Sequence, residues 1–248
     1  MADSAHPATP ASAPRSADRK LAVAEILRQR ILTMELAPGA ALDEQALSEE
    51  FGLSRPPLRE LMRQMAAEGY IELEANRAAR VASMNYQSLR NFFLAAPLLY
   101  TATTKLAALE ATAAEIASLK AIQAQFRQAV SQGDVDSRVY YNDQFHLAIG
   151  KMAHNAYLLP SLNRLLIDHA RLAKTFYQPS SHRMHDDLAT AVQQHEDIIA
   201  AIERRDADAA VDIVRAHLEL SRRNMAMYVT PEGLALPPEP QPADQAPA

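Results

Sequence analysis

The chain has no cysteine. This excludes a disulfide, a thiolate metal site and a cysteine nucleophile, and it fits a reducing, cytoplasmic setting. Glycine is scarce, at 6 of 248 residues, and none of it builds a phosphate-binding loop. No stretch approaches the roughly 18 uninterrupted apolar residues of a membrane span. The N-terminus lacks the apolar run of a secretory signal. No nucleophile motif is present, and no acid is convincingly placed as a general base. Neither a membrane partner nor an enzyme is expected. An excess of positive charge is also missing: the formal net charge is -5. That is unusual for a nucleic-acid binder and argues against non-specific coating of DNA. A local basic stripe still acts, because salt confines each charge to about 8–10 Å.

What is present is a 48% hydrophobic composition, enough for a substantial core in one or two domains. Residues 1–17 are rich in Ala, Pro and Ser and read as a disordered arm. Residues 229–248 contain six prolines, from Pro231 to Pro247, and read as a disordered tail. Between them the pattern predicts a mainly α protein. A winged helix-turn-helix over 18–82 precedes an all-α antiparallel helical bundle over 86–228.

The run from Leu36 to Ala82 carries the clearest signal. Helices are expected at about 18–34, 43–51 and 54–68, then short strands near 70–74 and 79–82. Gly52 permits a tight turn, Ser54 can cap the next helix, and Pro56 suits its first turn. Arg55, Arg59 and Arg63 recur every four residues and form one cationic stripe. Arginine suits bidentate contact with guanine edges and phosphates. Asn76 and Arg77 fall at the tip of the wing.

This block resembles the GntR family of bacterial transcription regulators. The matching pieces are Leu36-x-Pro38-Gly39-x-x-Leu42, Ser54-Arg55-x-Pro57-Leu58-Arg59-Glu60 and Glu68-Gly69-Tyr70-Ile71. The resemblance implies a homodimer on double-stranded DNA with a palindromic operator. It assigns DNA contact to Ser54, Arg55, Pro56, Arg59, Arg63, Asn76 and Arg77.

In the bundle, helices are expected at about 86–109, 112–131, 134–152, 155–177, 184–204 and 206–228. Asp134, Asn155 and Asp206 are the caps. Asn142 and His146 lie four apart and share one helix face. His195 and His217 are each 11 residues from Asp206. In an antiparallel pair both sit about 16 Å from the turn and meet, and His146 can join them from a third helix. Three imidazoles and an oxygen suit a divalent ion such as zinc or nickel. Asp143 points about 100° away and reads as an acid behind the site or on the surface. His6, His154, His169, His182 and His185 read as ordinary core or surface residues.

The same stretch resembles the FCD ligand-binding domain that follows many GntR helix-turn-helix units. The resemblance implies a small-molecule metabolite effector and a metal held by Asn142, His146, His195 and His217. Asn142 stands where aspartate is more usual. Acid-sensing members carry an arginine and a glutamate on the first bundle helix, where this chain has Ala96 and Tyr100. Pro97 is expected to kink that helix. An effector pocket is therefore expected among Phe93, Tyr100, Arg138 and Arg171. The expected function is a ligand-responsive repressor. A constitutive dimeric DNA binder and a metal-dependent enzyme are the alternative readings.

Overall fold

The computed structural model describes residues 16–74, 78–176 and 182–229. The expected arm and tail, the wing tip at Asn76 and Arg77, and the break at Gln178 lie outside the described residues, apart from the inner end of the arm. So do His6 and the side chains of His182 and His185.

The first domain is built from α1 (Ser16–Leu32), α2 (Glu44–Phe51), α3 (Arg55–Glu68), β1 (Ile71–Glu72) and β2 (Arg80–Val81). Asp43 starts α2, its Oδ1 accepting from the backbone N–H of Gln45 at 2.8 Å and of Ala46 at 3.2 Å. Gly52 ends it at φ 59°, a left-handed conformation that glycine adopts without strain. Ser54 then has the extended backbone of an N-cap, but its side chain makes no capping bond. The expected cap is backbone geometry alone, which leaves the hydroxyl free for another partner. Leu58, Leu61, Met62 and Met65 bury one face of α3 against Val23, Leu27 and Ile31 of α1. The opposite face is thereby committed to solvent. β1 and β2 pair antiparallel, Ile71 opposite Val81.

The second domain comprises α4 (Tyr86–Glu110), α5 (Ala113–Gln132), α6 (Val135–Met152), α7 (Leu158–Phe176), α8 (His182–Glu203) and α9 (Ala207–Val229). Capping boxes open α4 (Asn85 with Ser88) and α5 (Thr112 with Glu115), each satisfying two end-of-helix donors. Asn155 caps from outside α7: its Oδ1 accepts from Tyr157 and Leu158 N–H, both at 3.0 Å. The helix therefore begins at Leu158, not at 155 as expected. α4 packs on α6 and α9, α5 on α6 and α8, and α8 on α9. Phe92, Tyr100, Phe145, Leu162, Ile198 and Val214 centre this core.

α4 runs unbroken through Pro97, so the expected interruption costs a hydrogen bond without ending the helix. α4 is also long and apolar enough to cross a membrane by length and composition. Here one side of it, including Phe92, Ala96, Tyr100 and Ala107, lies in the core, whereas Leu94 and Leu98 are 59% and 71% exposed. Between the domains, Leu32 of α1 packs against Val139, Ala170 and Ala173.

Candidate functional site

Three helices bring His146 (α6), His195 (α8) and His217 (α9) together at the bundle centre. All three are buried, and one ring nitrogen from each lies within 4.8 Å of the others. The surrounding bonds set the tautomers. The amide nitrogen of Gln123 donates to Val192 O and Glu196 Oε1, each at 3.2 Å. Its Oε1 is therefore the atom that accepts from His195 Nδ1, at 3.0 Å. Gln194 Oε1, an acceptor, meets His217 Nδ1 at 3.0 Å. A neutral imidazole has one N–H, so both Nε2 atoms carry lone pairs. They face each other at 3.3 Å.

Two facing lone pairs repel unless a proton or a cation lies between them. A proton is disfavoured. Burial holds His146 and His195 well below the usual histidine pKa and pushes His217 down to about 3. His146 Nε2 is buried and lacks a hydrogen-bond partner. Three converging imidazole nitrogens, two of them on rings that meet amide oxygens, fit a divalent ion. Phe145 stacks on His195 at 3.8 Å between ring centroids and 10° between planes, which further fixes that ring.

Asn142, one turn before His146, lines a narrow cavity with Phe126 and the buried Arg138. The Phe126 ring lies 4.9 Å from that of His195. Tyr100 is fully buried, its ring 4.8 Å from His146, and its hydroxyl meets His169 Nδ1 at 2.9 Å. Phe93 lines a cavity of ≈ 290 Å³ with Phe92, Ala96, Pro97 and His169. His169, read from sequence as an ordinary residue, thus stands between this cavity and the cluster, its ring 5.1 Å from that of His146. His154 does play a surface role, paired with Glu115 at 2.7 Å.

Arg171 lies elsewhere. It is fully buried and donates to Ala82 O at 2.6 Å and to Asp168 Oδ1 at 3.1 Å. Asp168 Oδ2 accepts in turn from Arg164 at 3.1 Å. The Arg164 side chain fills the space that a Cβ at Gly69 would need. One side of α7 therefore holds the end of α3 at Gly69 and the residue that follows β2, Ala82. Asp143 needs correction. It is neither at the histidines nor on the open surface. It lines the cleft between the domains, with an Oδ1 that is closed to solvent and has no hydrogen-bond partner. Burial raises its pKa to about 7.

Ser54, Arg55, Pro56, Arg59 and Arg63, at the start and along the outer face of α3, are all exposed. Arg59 pairs with Glu44 of α2 at 2.9 Å, and Glu60 with Lys20 at 2.8 Å. Arg55 and Arg63 flank that pair on the same stripe.

A winged helix with an exposed arginine stripe, joined to a helical bundle with a buried polar centre, defines a DNA-binding transcriptional regulator with an effector domain. Two family models match: "Bacterial regulatory proteins, gntR family" over residues 19–81 and "FCD domain" over residues 98–220. The chain belongs to the GntR family of regulators, with an FCD domain following its helix-turn-helix, and is not an enzyme. It is 26% identical over 194 residues to the HTH-type transcriptional repressor RspR of Escherichia coli, covering 78% of this chain and 83% of that one. It is 28% identical over 227 residues to the E. coli Glc operon transcriptional activator, covering 82% and 87%. The fold matches that of E. coli McbR/YncC with a TM-score of 0.69 at 20% identity, covering 84% and 96%.

Proposed function

We propose that this chain is a dimeric repressor whose operator affinity is set by a small metabolite and a divalent ion, zinc or nickel, in the bundle. The observation that carries the ion is the facing pair of Nε2 lone pairs on His195 and His217, with His146 Nε2 unpartnered beside them. Asn142, one turn before His146, would supply an oxygen. When bound, the ion offers a Lewis-acidic position to an oxygen-bearing effector. Phe93 would line the approach from one side, with Tyr100 behind it against His146, and Arg138 on the other would meet a negative group. The departures at Ala96 and Tyr100 favour an effector with less acid character and more apolar surface.

Dimerisation is supported by the exposed Leu94 and Leu98 on α4, one turn apart on a single face. A second copy related by a two-fold axis would cover them and present two α3 helices to a palindrome. Repression follows the relative RspR by name. An effector changes DNA affinity by favouring one arrangement of the domains over another.

Native mass spectrometry of protein purified without chelator or histidine tag tests the core of this reading. A dimer with one divalent ion per chain is expected. A metal-free dimer that also refuses added zinc and nickel would overturn the metal site. Arg55→Ala and Arg59→Ala should each weaken binding to an operator selected from random DNA by about 1–3 kcal/mol if they read bases. Unchanged affinity in both variants would mean that another surface reads DNA.

A further inference from the structure

A second cavity, of ≈ 490 Å³, lies between the domains. Leu32 and Tyr70 line it from the DNA-binding side, and Asp143, Leu147, Leu166 and Ile167 from the bundle. Its volume falls in the range of small-molecule sites, and its walls are mainly apolar side chains around a few charges. Two of those charges are already engaged. Arg28 is clamped by Glu68 through contacts of 2.9–3.1 Å, and Arg164 by Asp168 at 3.1 Å. The Asp143 carboxylate is different: its Oδ1 is shut off from water without a hydrogen-bond partner.

With one oxygen closed off and no hydrogen-bond partner there, the carboxylate's charge is poorly hydrated, and a cation with N–H donors meeting the part of it that lines the cleft offsets that cost. Anions are disfavoured, because the cleft's two arginines are satisfied and two carboxylates face the incoming charge. A bare divalent ion is disfavoured too, since calcium takes six to eight oxygens and Glu68 is committed to Arg28. We propose that this cleft binds a small organic cation, an amine or amidine on an apolar body, with Asp143 as its counter-ion. The ligand would span the end of α3 and the middle of α6, so its occupancy biases how the DNA-binding domain sits on the bundle. The site shares no lining residue with the histidine cluster and does not depend on a metal there.

Calorimetric titration of the full chain with benzamidine, against benzoate as the anion of the same shape, tests the proposal. Saturable binding of one benzamidine per chain is expected at millimolar concentration, with no binding of benzoate. Prior treatment with EDTA should change nothing, which separates this site from the histidines. Asp143→Asn should weaken benzamidine at least tenfold. Hydrogen exchange on the unmodified chain provides a check that needs no variant: benzamidine should protect the segments around Tyr70 and Asp143 together. The proposal is overturned by any of four results: no saturable benzamidine binding, equal binding of benzoate, binding lost with EDTA, or protection confined to α8 and α9.

Discussion

Gln123 acts on His195 without being a ligand itself. Its amide is pinned by Val192 and Glu196, so it dictates which imidazole nitrogen carries the proton. Replacing it by leucine leaves three histidines in place but frees the tautomer. Gln123→Leu should lower zinc affinity about 10–100-fold in a competition titration against a chromophoric chelator. Undiminished affinity would show that the ring is fixed by Phe145 stacking alone. Gly69 is the other exacting residue, at φ 93° with Arg164 against it. Gly69→Ala meets both an unfavourable backbone and an occupied space, so it should cost at least about 1 kcal/mol, measured as a lower urea midpoint. At this scale the sequence was only partly legible. His195 and His217 could be paired because they stand equally far from Asp206. Gln123, Gln194 and His169 could not, because their partners come from helices whose mutual rotation no periodicity specifies. Asp143 was read as a peripheral acid because helical spacing shows which way it points but not that the DNA-binding domain closes over it.

Elements were easier to read than sites. Asp43, Asp134, Asn155 and Asp206 all accept from the first turn of the helices that follow them, and local hydrogen bonds of this kind need no tertiary context; Asn85 and Thr112 do the same without having been expected to. Pro97 sits inside α4, within the span expected for that helix. α4 packs on α6 and α9 and continues past the one backbone bond that proline removes. α7 shows what an element does beyond its ends. Arg171 joins it to Ala82, and Arg171→Met would orphan that carbonyl and leave Asp168 to Arg164 alone. We expect a loss of about 1–3 kcal/mol in chemical unfolding. The wing should also exchange amide hydrogens faster than in the parent chain. A wing with unaltered exchange would mean that Leu32 and Gly69 hold the domains without Arg171.

The whole molecule carries its polar burden at two depths, and acid acts on them in opposite senses. Burial lowers His169 to about 4 and His217 to about 3, and holds His146 and His195 well below their ordinary 6.5. Below about pH 6.5 the unfolded chain takes up protons that the folded chain refuses. Stability therefore falls on acidification, by up to about 1.4 kcal/mol per pH unit for each such histidine. Asp143, raised to about 7, does the reverse: the folded chain holds a proton there that the unfolded chain has released, so its share of stability grows as pH falls through 7. Four histidines outweigh one acid. The metal-free protein should melt at a lower temperature at pH 5 than at pH 7.5, and a flat or rising profile would contradict the buried, neutral cluster. At pH 7.5 zinc at 100 times its dissociation constant should add about 2.7 kcal/mol, visible as a higher melting temperature that EDTA reverses.

His169 and Arg171 stand two residues apart on α7, the first touching Tyr100 and the second holding Ala82. α7 therefore touches the bundle centre and the DNA-binding domain at once, within a single helical turn. If the proposed effector site holds, substitutions at Phe93, Tyr100 and Arg138 would retune the response, whereas changes at Asp168 or Arg171 would act on the junction between the domains.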